Sequence, residues 1–215
     1  MKQNALLRVA ILPSAMMLIM LASITYKAYA DTSTYKTAIL AGGCFWCVES
    51  DFDKVPGVVE TTSGYIGGKI QNPSYRQVAS GQTEHIEAVK VVYDPKKISY
   101  DKILFYFWRT VDPTDKGGQF CDRGASYRTA IFAVDDEQLK LAQKSKADLE
   151  KSGALSAPIV TEVRTAGPFY KAESGHQDFY RRNPVRYATY RYGCRRDARV
   201  KSLWGKQAHG GLKKH

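Results

Sequence analysis

Between residues 37 and 164 the chain alternates five short strand-like runs with four stretches of helical period, and no other feature of the sequence restricts its fold as much. The first run, 37–41 (TAILA), closes at Gly42-Gly43. Cys44, Val48 and Phe52 then recur at i, i+4 and i+8, which predicts a helix from 44 to about 54. A strand is expected over 58–65, ended by Gly67-Gly68, then a short helix over 75–79 after Pro73-Ser74, and a strand over 86–93 stopped by Asp94-Pro95. Ser99 can cap a helix whose Tyr100, Ile103, Leu104, Phe107 and Trp108 form one apolar stripe. A strand over 129–134 leads into a helix opened by Asp135 and Gln138 and closed at Gly153, and 159–164 alternates as a last strand. The pattern predicts an α+β domain: a two-layer mixed β-sheet of ferredoxin-like type with packed helices.

The two ends read differently. Lys2 and Arg8 precede an uncharged apolar run over 9–24, and Ala28-Tyr29-Ala30 has the small-x-small form of a cleavage site. Residues 1–30 are therefore expected to be a signal peptide cleaved after Ala30, with 31–215 a single domain exported to an oxidising compartment, the periplasm. The alternative is an N-terminal membrane anchor. From Gly167 the periodicity dissolves, and 185–215 reads as an irregular basic tail. Residues 191–215 hold eight Lys or Arg and one Asp, which we read as a solvated surface. No aromatic-plus-basic module accompanies that charge, so nucleic-acid binding is not expected, and the chain is expected to be a monomer.

The chemistry concentrates where the first strand turns into the first helix. Two glycines allow a tight turn before Cys44, and the free N–H groups of a helix start favour a thiolate there. A lone Cys would be read as a small buried hydrophobe, but the glycines before it and Phe45-Trp46 after it point to a nucleophile. Cys47 lies three residues on, on the same helical face. The pair admits a thioredoxin-like dithiol, half of a zinc site, a nucleophile with a resolving thiol, or a structural disulfide in a binding module. Zinc needs four ligands, and the other cysteines stand singly at 121 and 194, so no metal site is expected. Glu87 is the second anomaly. It shares a strand face with Val89 and Val91; buried, it would keep its proton and act as an acid, whereas at an open end of the face it would be an ordinary solvated carboxylate.

Several motifs in order carry a resemblance. Gly43-Cys44-Phe45-Trp46, Gly64-Tyr65-Ile66-Gly67-Gly68, Pro73-Ser74-Tyr75 and His85-Ile86-Glu87 resemble those of the A-type peptide methionine sulfoxide reductases. So do Asp122-Arg123-Gly124 before Tyr127-Arg128, and Ala172-Glu173 before His176-Gln177. The resemblance implies thiol-dependent reduction of methionine S-sulfoxide, free or in oxidised proteins, with no bound cofactor and an external thioredoxin-like dithiol as reductant. It implies Cys44 as nucleophile, Glu87 as acid, and Tyr75 and Tyr127 as hydroxyls on the sulfoxide oxygen. Phe45, Trp46 and Asp122 would form the substrate pocket. The product on the enzyme would be a Cys44 sulfenic acid, which a second thiol converts to a disulfide. Cys47, Cys121 and Cys194 are the candidates. Cys194, in the tail, is expected to form the bond to Cys44, with Cys47 the other recycling candidate and Cys121 a packed thiol. This chain departs from the family pattern in Cys47, where many members carry Gly, in Phe120-Cys121, where Gly-Asn is common, and in Glu84, where Gly is usual. The competing activity is disulfide exchange by Cys44 and Cys47, which leaves Glu87 and the tyrosines without a role.

Overall fold

The computed structural model describes residues 35–212. Both the signal-peptide and the membrane-anchor readings of 1–30 fall outside them. Among the described residues no helix is long and apolar enough to cross a membrane.

Strand β1 (Lys36–Gly42) is followed by helix α1 (Phe45–Phe52), β2 (Val58–Ile66), α2 (Tyr75–Ala79), β3 (Ile86–Tyr93) and α3 (Tyr100–Trp108). A two-stranded hairpin, β4 (Gly118–Gln119) and β5 (Asp122–Arg123), precedes β6 (Thr129–Ala133), α4 (Asp136–Lys151), β7 (Glu162–Thr165) and β8 (Tyr170–Lys171). Six strands form one mixed sheet in the order β7-β6-β1-β3-β2-β8. All its pairs are antiparallel except β6 with β7, whose crossover is α4. Strand alternation gives the sheet two apolar faces. Ala38, Leu40, Val89, Val91 and Tyr93 pack with α1 and α3 in the main core, whereas Ile39, Ala41, Ile66, Ile86, Ala88 and Phe132 form a smaller cluster on the reverse face.

The helix starts carry the caps that their sequences announce. Ser99 accepts from the Lys102 amide, Asp135 accepts from the Gln138 amide, and Ser74 with Gln77 closes a full capping box that fixes Tyr75 at the first position of α2. The last strand is shifted from the expected 159–164. The Val160 amide donates to the Pro113 carbonyl, so this stretch is tied to the loop after α3 before it can join the ladder at Glu162.

The C-terminal region is a correction. Where an irregular tail is expected, the chain forms α5 (Phe179–Arg182), α6 (Pro184–Gly193), α7 (Arg196–Trp204) and a 3-10 segment (Gly205–Gly211). Their inward faces are built from Tyr187, Arg191, Arg196, Val200 and Trp204, all buried. Tyrosine and arginine bury long apolar stems while their polar tips find partners, so an apolar-stripe reading passes over them. The basic residues are thus not all solvated surface: Arg191 and Arg196 are interior.

Candidate active site

Cys44 is the N-cap of α1. The turn before it is set by Gly43, whose φ of +82° is open to glycine and strained for other residues. A Cβ there would stand 2.5 Å from Gln119 Cβ, and Gln119 is itself held by hydrogen bonds to the Asp112 amide and carbonyl. Hairpin β4–β5 therefore presses directly on the turn that presents Cys44.

Glu87 enters from the sheet. It lies on the helix-facing side of β3, opposite Tyr65 of β2, and is 1% exposed. Its Oε2 accepts the Phe45 amide at 3.0 Å, so its carboxyl is bonded to the residue next to Cys44. Burial raises its pKa to about 8, against the pull of the Phe45 N–H and with help from the charges of Asp122 and Cys47. Of the two readings of the strand pattern, the structure has the buried one, and burial favours the protonated form of Glu87.

The tyrosines gather over the same point. The Tyr75 and Tyr127 hydroxyls lie within interaction range of each other, and burial together with the Glu87 charge raises both phenols. Tyr75 is anchored through its amide to Glu173 Oε1 at 2.7 Å, and Tyr65 donates to Glu173 Oε2 at 2.8 Å. Phe45, Trp46 and His176 form an aromatic wall. Trp46 stacks on Phe179 at 3.7 Å and donates through Nε1 to His176 Nδ1 at 3.2 Å, and His176 packs on Tyr75 at 4.4 Å. Asp122, half-buried on β5, accepts the Tyr190 hydroxyl.

Tyr190 is a site residue that the sequence reading missed. It meets Trp46 edge-on at 5.7 Å, and its hydroxyl lies within hydrogen-bond reach of the Cys44 sulfur as well as Asp122. With fourteen tyrosines in the chain and no helix expected there, the usable signal was its spacing from Tyr187 on α6.

The sulfur arrangement departs from expectation in three ways. Cys121 is not a packed thiol: it is disulfide-bonded to Cys194, across 73 residues. That bond ties α6 to the hairpin, and a Cys44–Cys194 bond is not the pairing present. Cys44 and Cys47 are the free, buried thiols among the described residues. The helix start also does not lower the Cys44 pKa. Cys44 is 6% exposed, and burial pushes its thiol well up, aided by the Cys47 bond and charge and the Glu87 charge and opposed by Tyr190. Interaction with the neighbouring Cys44 thiol draws the Cys47 pKa down to about 7 against burial, with Arg196 and Arg191 adding to the effect. The Cys121, Asp122 and Cys194 donor atoms lie within 4.8 Å of one another. Both sulfurs are in the disulfide, however, and carry no thiolate charge to offer a cation.

Residues 36–208 match the family model described as peptide methionine sulfoxide reductase. The chain belongs to that family. It is 54% identical over 163 residues to the Peptide methionine sulfoxide reductase MsrA of Ligilactobacillus salivarius, covering 76% of this chain and 95% of that protein. It is 49% identical over 170 residues to the enzyme of the same name from Bacillus licheniformis, covering 79% and 94%. Among solved structures it resembles Mxr1 from Saccharomyces cerevisiae in reduced form, with a TM-score of 0.67 and 32% identity over 72% of this chain and 89% of that one. The chain is an oxidoreductase that reduces methionine sulfoxide, on a mixed sheet with packed helices.

Proposed function

We propose that the chain reduces the S epimer of methionine sulfoxide through Cys44 and recycles through Cys47. The observation that carries this reading is the Phe45 amide bond to Glu87, which sets a protonated carboxyl beside the nucleophile. The sulfoxide methyl group rests against Phe45 and Trp46, and its oxygen meets Glu87, Tyr75 and Tyr127. Cys44 attacks the substrate sulfur as its thiol proton passes to Cys47 or solvent, and Glu87 protonates the oxygen, without which it is a poor leaving group. In sum, one oxygen passes from the substrate sulfur to the Cys44 sulfur, giving methionine and a sulfenic acid. Asp122, held by the Tyr190 hydroxyl, would help to hold the substrate.

Cys47 then attacks the sulfenic sulfur. The S–S bond forms, the S–O bond breaks, and the hydroxyl takes a proton and leaves as water. Cys47 is a free thiol within interaction range of Cys44, whereas Cys194 is held by Cys121. An external thioredoxin-like dithiol returns the Cys44–Cys47 bond to two thiols by exchange. Export of the chain, with cleavage after Ala30, would put that reductant outside the cytosol.

Turnover of the separated R and S epimers with dithiothreitol tests the substrate reading. Consumption of the S epimer with the R epimer untouched supports it; equal consumption of both, or of R alone, contradicts it.

A further inference from the structure

The two buried arginines of the C-terminal helices have no part in the oxygen-transfer step. Arg196 is 1% exposed. It donates to the Gly42 carbonyl at 3.0 Å and to the Thr110 carbonyl at 2.9 Å, and its guanidinium lies 4.6 Å over the Phe120 ring. Its terminal nitrogens stand 3.7 and 3.8 Å from where a Cβ would sit on Gly43 and Gly42, so the cation lies against the turn that presents Cys44. Phe120 holds a left-handed φ of 57° in this hairpin turn, a conformation that its stacking on Arg196 helps to hold. Arg191 reaches the same helix from α6. It donates to the Tyr187 hydroxyl at 2.8 Å and pairs with Asp51 at 2.8 Å, and Tyr187 packs on Cys47. Asp51 is one turn beyond Cys47 on α1.

The pairing of these cations is uneven. Arg196 Nε is buried without a hydrogen-bond partner, as is Asp51 Oδ2, and the two stand 3.7 Å apart. Asp51 is shared between both arginines, and Asp197 is shared between Arg191 and His209. Asp51 and Asp197 match the two arginines in number, but of the two arginines Asp197 pairs with Arg191 alone, and among the described carboxylates Arg196 meets only Asp51, at 3.7 Å and without a hydrogen bond through its Nε.

We propose that Arg191 and Arg196 are positioning residues for recycling: they hold negative charge on the Cys47 sulfur as it attacks the Cys44 sulfenic acid. This rests on the reading of Cys47 as the resolving thiol. In that attack Cys47 is oxidised and the sulfenic sulfur reduced, an S–S bond replaces an S–O bond, and the departing hydroxyl leaves as water with a proton from Glu87 or solvent. The groups that face Cys47 are Cys44 and Asp51 on its own helix, Glu87 on β3, Tyr187, Tyr190 and Arg191 on α6, and Arg196 on α7. The two arginines are the cations among them. They favour the thiolate, whereas Asp51 opposes it. The basic C-terminal helices thereby acquire a task in the catalytic cycle.

The test separates the two chemical steps. Reduced protein is mixed with one equivalent of methionine sulfoxide, without reductant, from pH 6 to 9. Methionine release reports the first step, and loss of dimedone-trappable sulfenic acid reports the second. In Arg191→Gln and Arg196→Gln the pH midpoint of the second step should rise. A unit rise costs tenfold in thiolate and returns about threefold in nucleophilicity, so the step should slow about threefold or more below the midpoint and sulfenic acid should accumulate. Arg191→Lys keeps the charge and should restore the midpoint. Asp51→Asn should move it the opposite way, which general damage to packing would not do. Should Arg196→Gln not fold, Arg191→Gln and Asp51→Asn still give the two signs. Midpoints unchanged in the variants, or moved the same way in Asp51→Asn as in Arg191→Gln, overturn the inference. Absence of a Cys44–Cys47 bond in peptides of the once-turned-over wild type instead defeats the recycling reading beneath it.

Discussion

Replacing Cys44 by Ser leaves the turn and the aromatic wall in place and exchanges a polarisable sulfur for a far less nucleophilic hydroxyl. Sulfoxide reduction by Cys44→Ser should fall to background, as followed by methionine release; turnover near the wild-type rate would remove Cys44 from the mechanism. Glu87→Gln keeps the shape and can still accept the Phe45 amide, but it has no acidic proton to give. Sulfenic acid formation should drop by about two orders of magnitude at neutral pH, the usual scale for a positioned acid. The sign of the pH dependence follows from burial, which raises the Glu87 pKa to about 8. The acid form predominates below that value, so the wild-type rate of oxygen transfer should fall as pH rises through about 8, and that limb should vanish in Glu87→Gln. An unchanged profile in single-turnover measurements would place the proton elsewhere. At this scale the sequence was legible where a residue type broke a pattern. Glu87 stood out because its strand neighbours are apolar, whereas Tyr190 was hidden among other tyrosines and His176 had no pattern to break. The direction of the Cys44 pKa was not legible, because it depends on how much chain closes over the sulfur.

The elements meet at one turn, between β1 and α1, and Gly43 makes that turn possible. Gly43→Ala would put a methyl group 2.5 Å from Gln119 Cβ at a φ of +82°. The conformation alone costs roughly 1–3 kcal/mol in a residue with a side chain. Displacement of Cys44 by about 1 Å is enough for a rate loss near a hundredfold. Gly43→Ala should therefore lose activity far more than unfolding stability, measured by urea melts beside single-turnover rates; equal small losses in both would show that the turn is not critical. Strands β1, β2, β3 and β6 and helices α1 to α4 were readable from periodicity and caps, since each buries a regular apolar face; the two-residue strands β4, β5 and β8 are too short to show a period, and β7 starts later than its pattern suggests. Helices α5 to α7 were not, because their buried faces use Tyr and Arg, and because partners distant in sequence, such as Gly42, Asp51 and Thr110, complete their hydrogen bonding.

Across the whole molecule the Cys121–Cys194 bond joins the hairpin to the C-terminal helices, closing a long loop of the chain. On the chain-entropy account a loop of 73 residues is worth about 4 kcal/mol, an upper figure where the unfolded chain keeps residual structure. The double variant Cys121→Ser, Cys194→Ser should melt several degrees lower. It should still cycle with a dithiol reductant, because Cys44 and Cys47 suffice; a stall after one turnover would make Cys194 the resolving thiol after all. The pairing itself was not legible in the sequence, since three partners for Cys44 remained open until α6 was seen to bring Cys194 to Cys121. The account rests most heavily on Cys44 taking the substrate oxygen, and one measurement addresses it alone. Reduced Cys47→Ser protein is mixed with methionine S-sulfoxide and dimedone, and the modified peptide is identified by mass spectrometry. The account predicts one methionine released per chain and one dimedone adduct, on Cys44. Methionine released with no adduct at Cys44, or with the adduct on another cysteine, would contradict it.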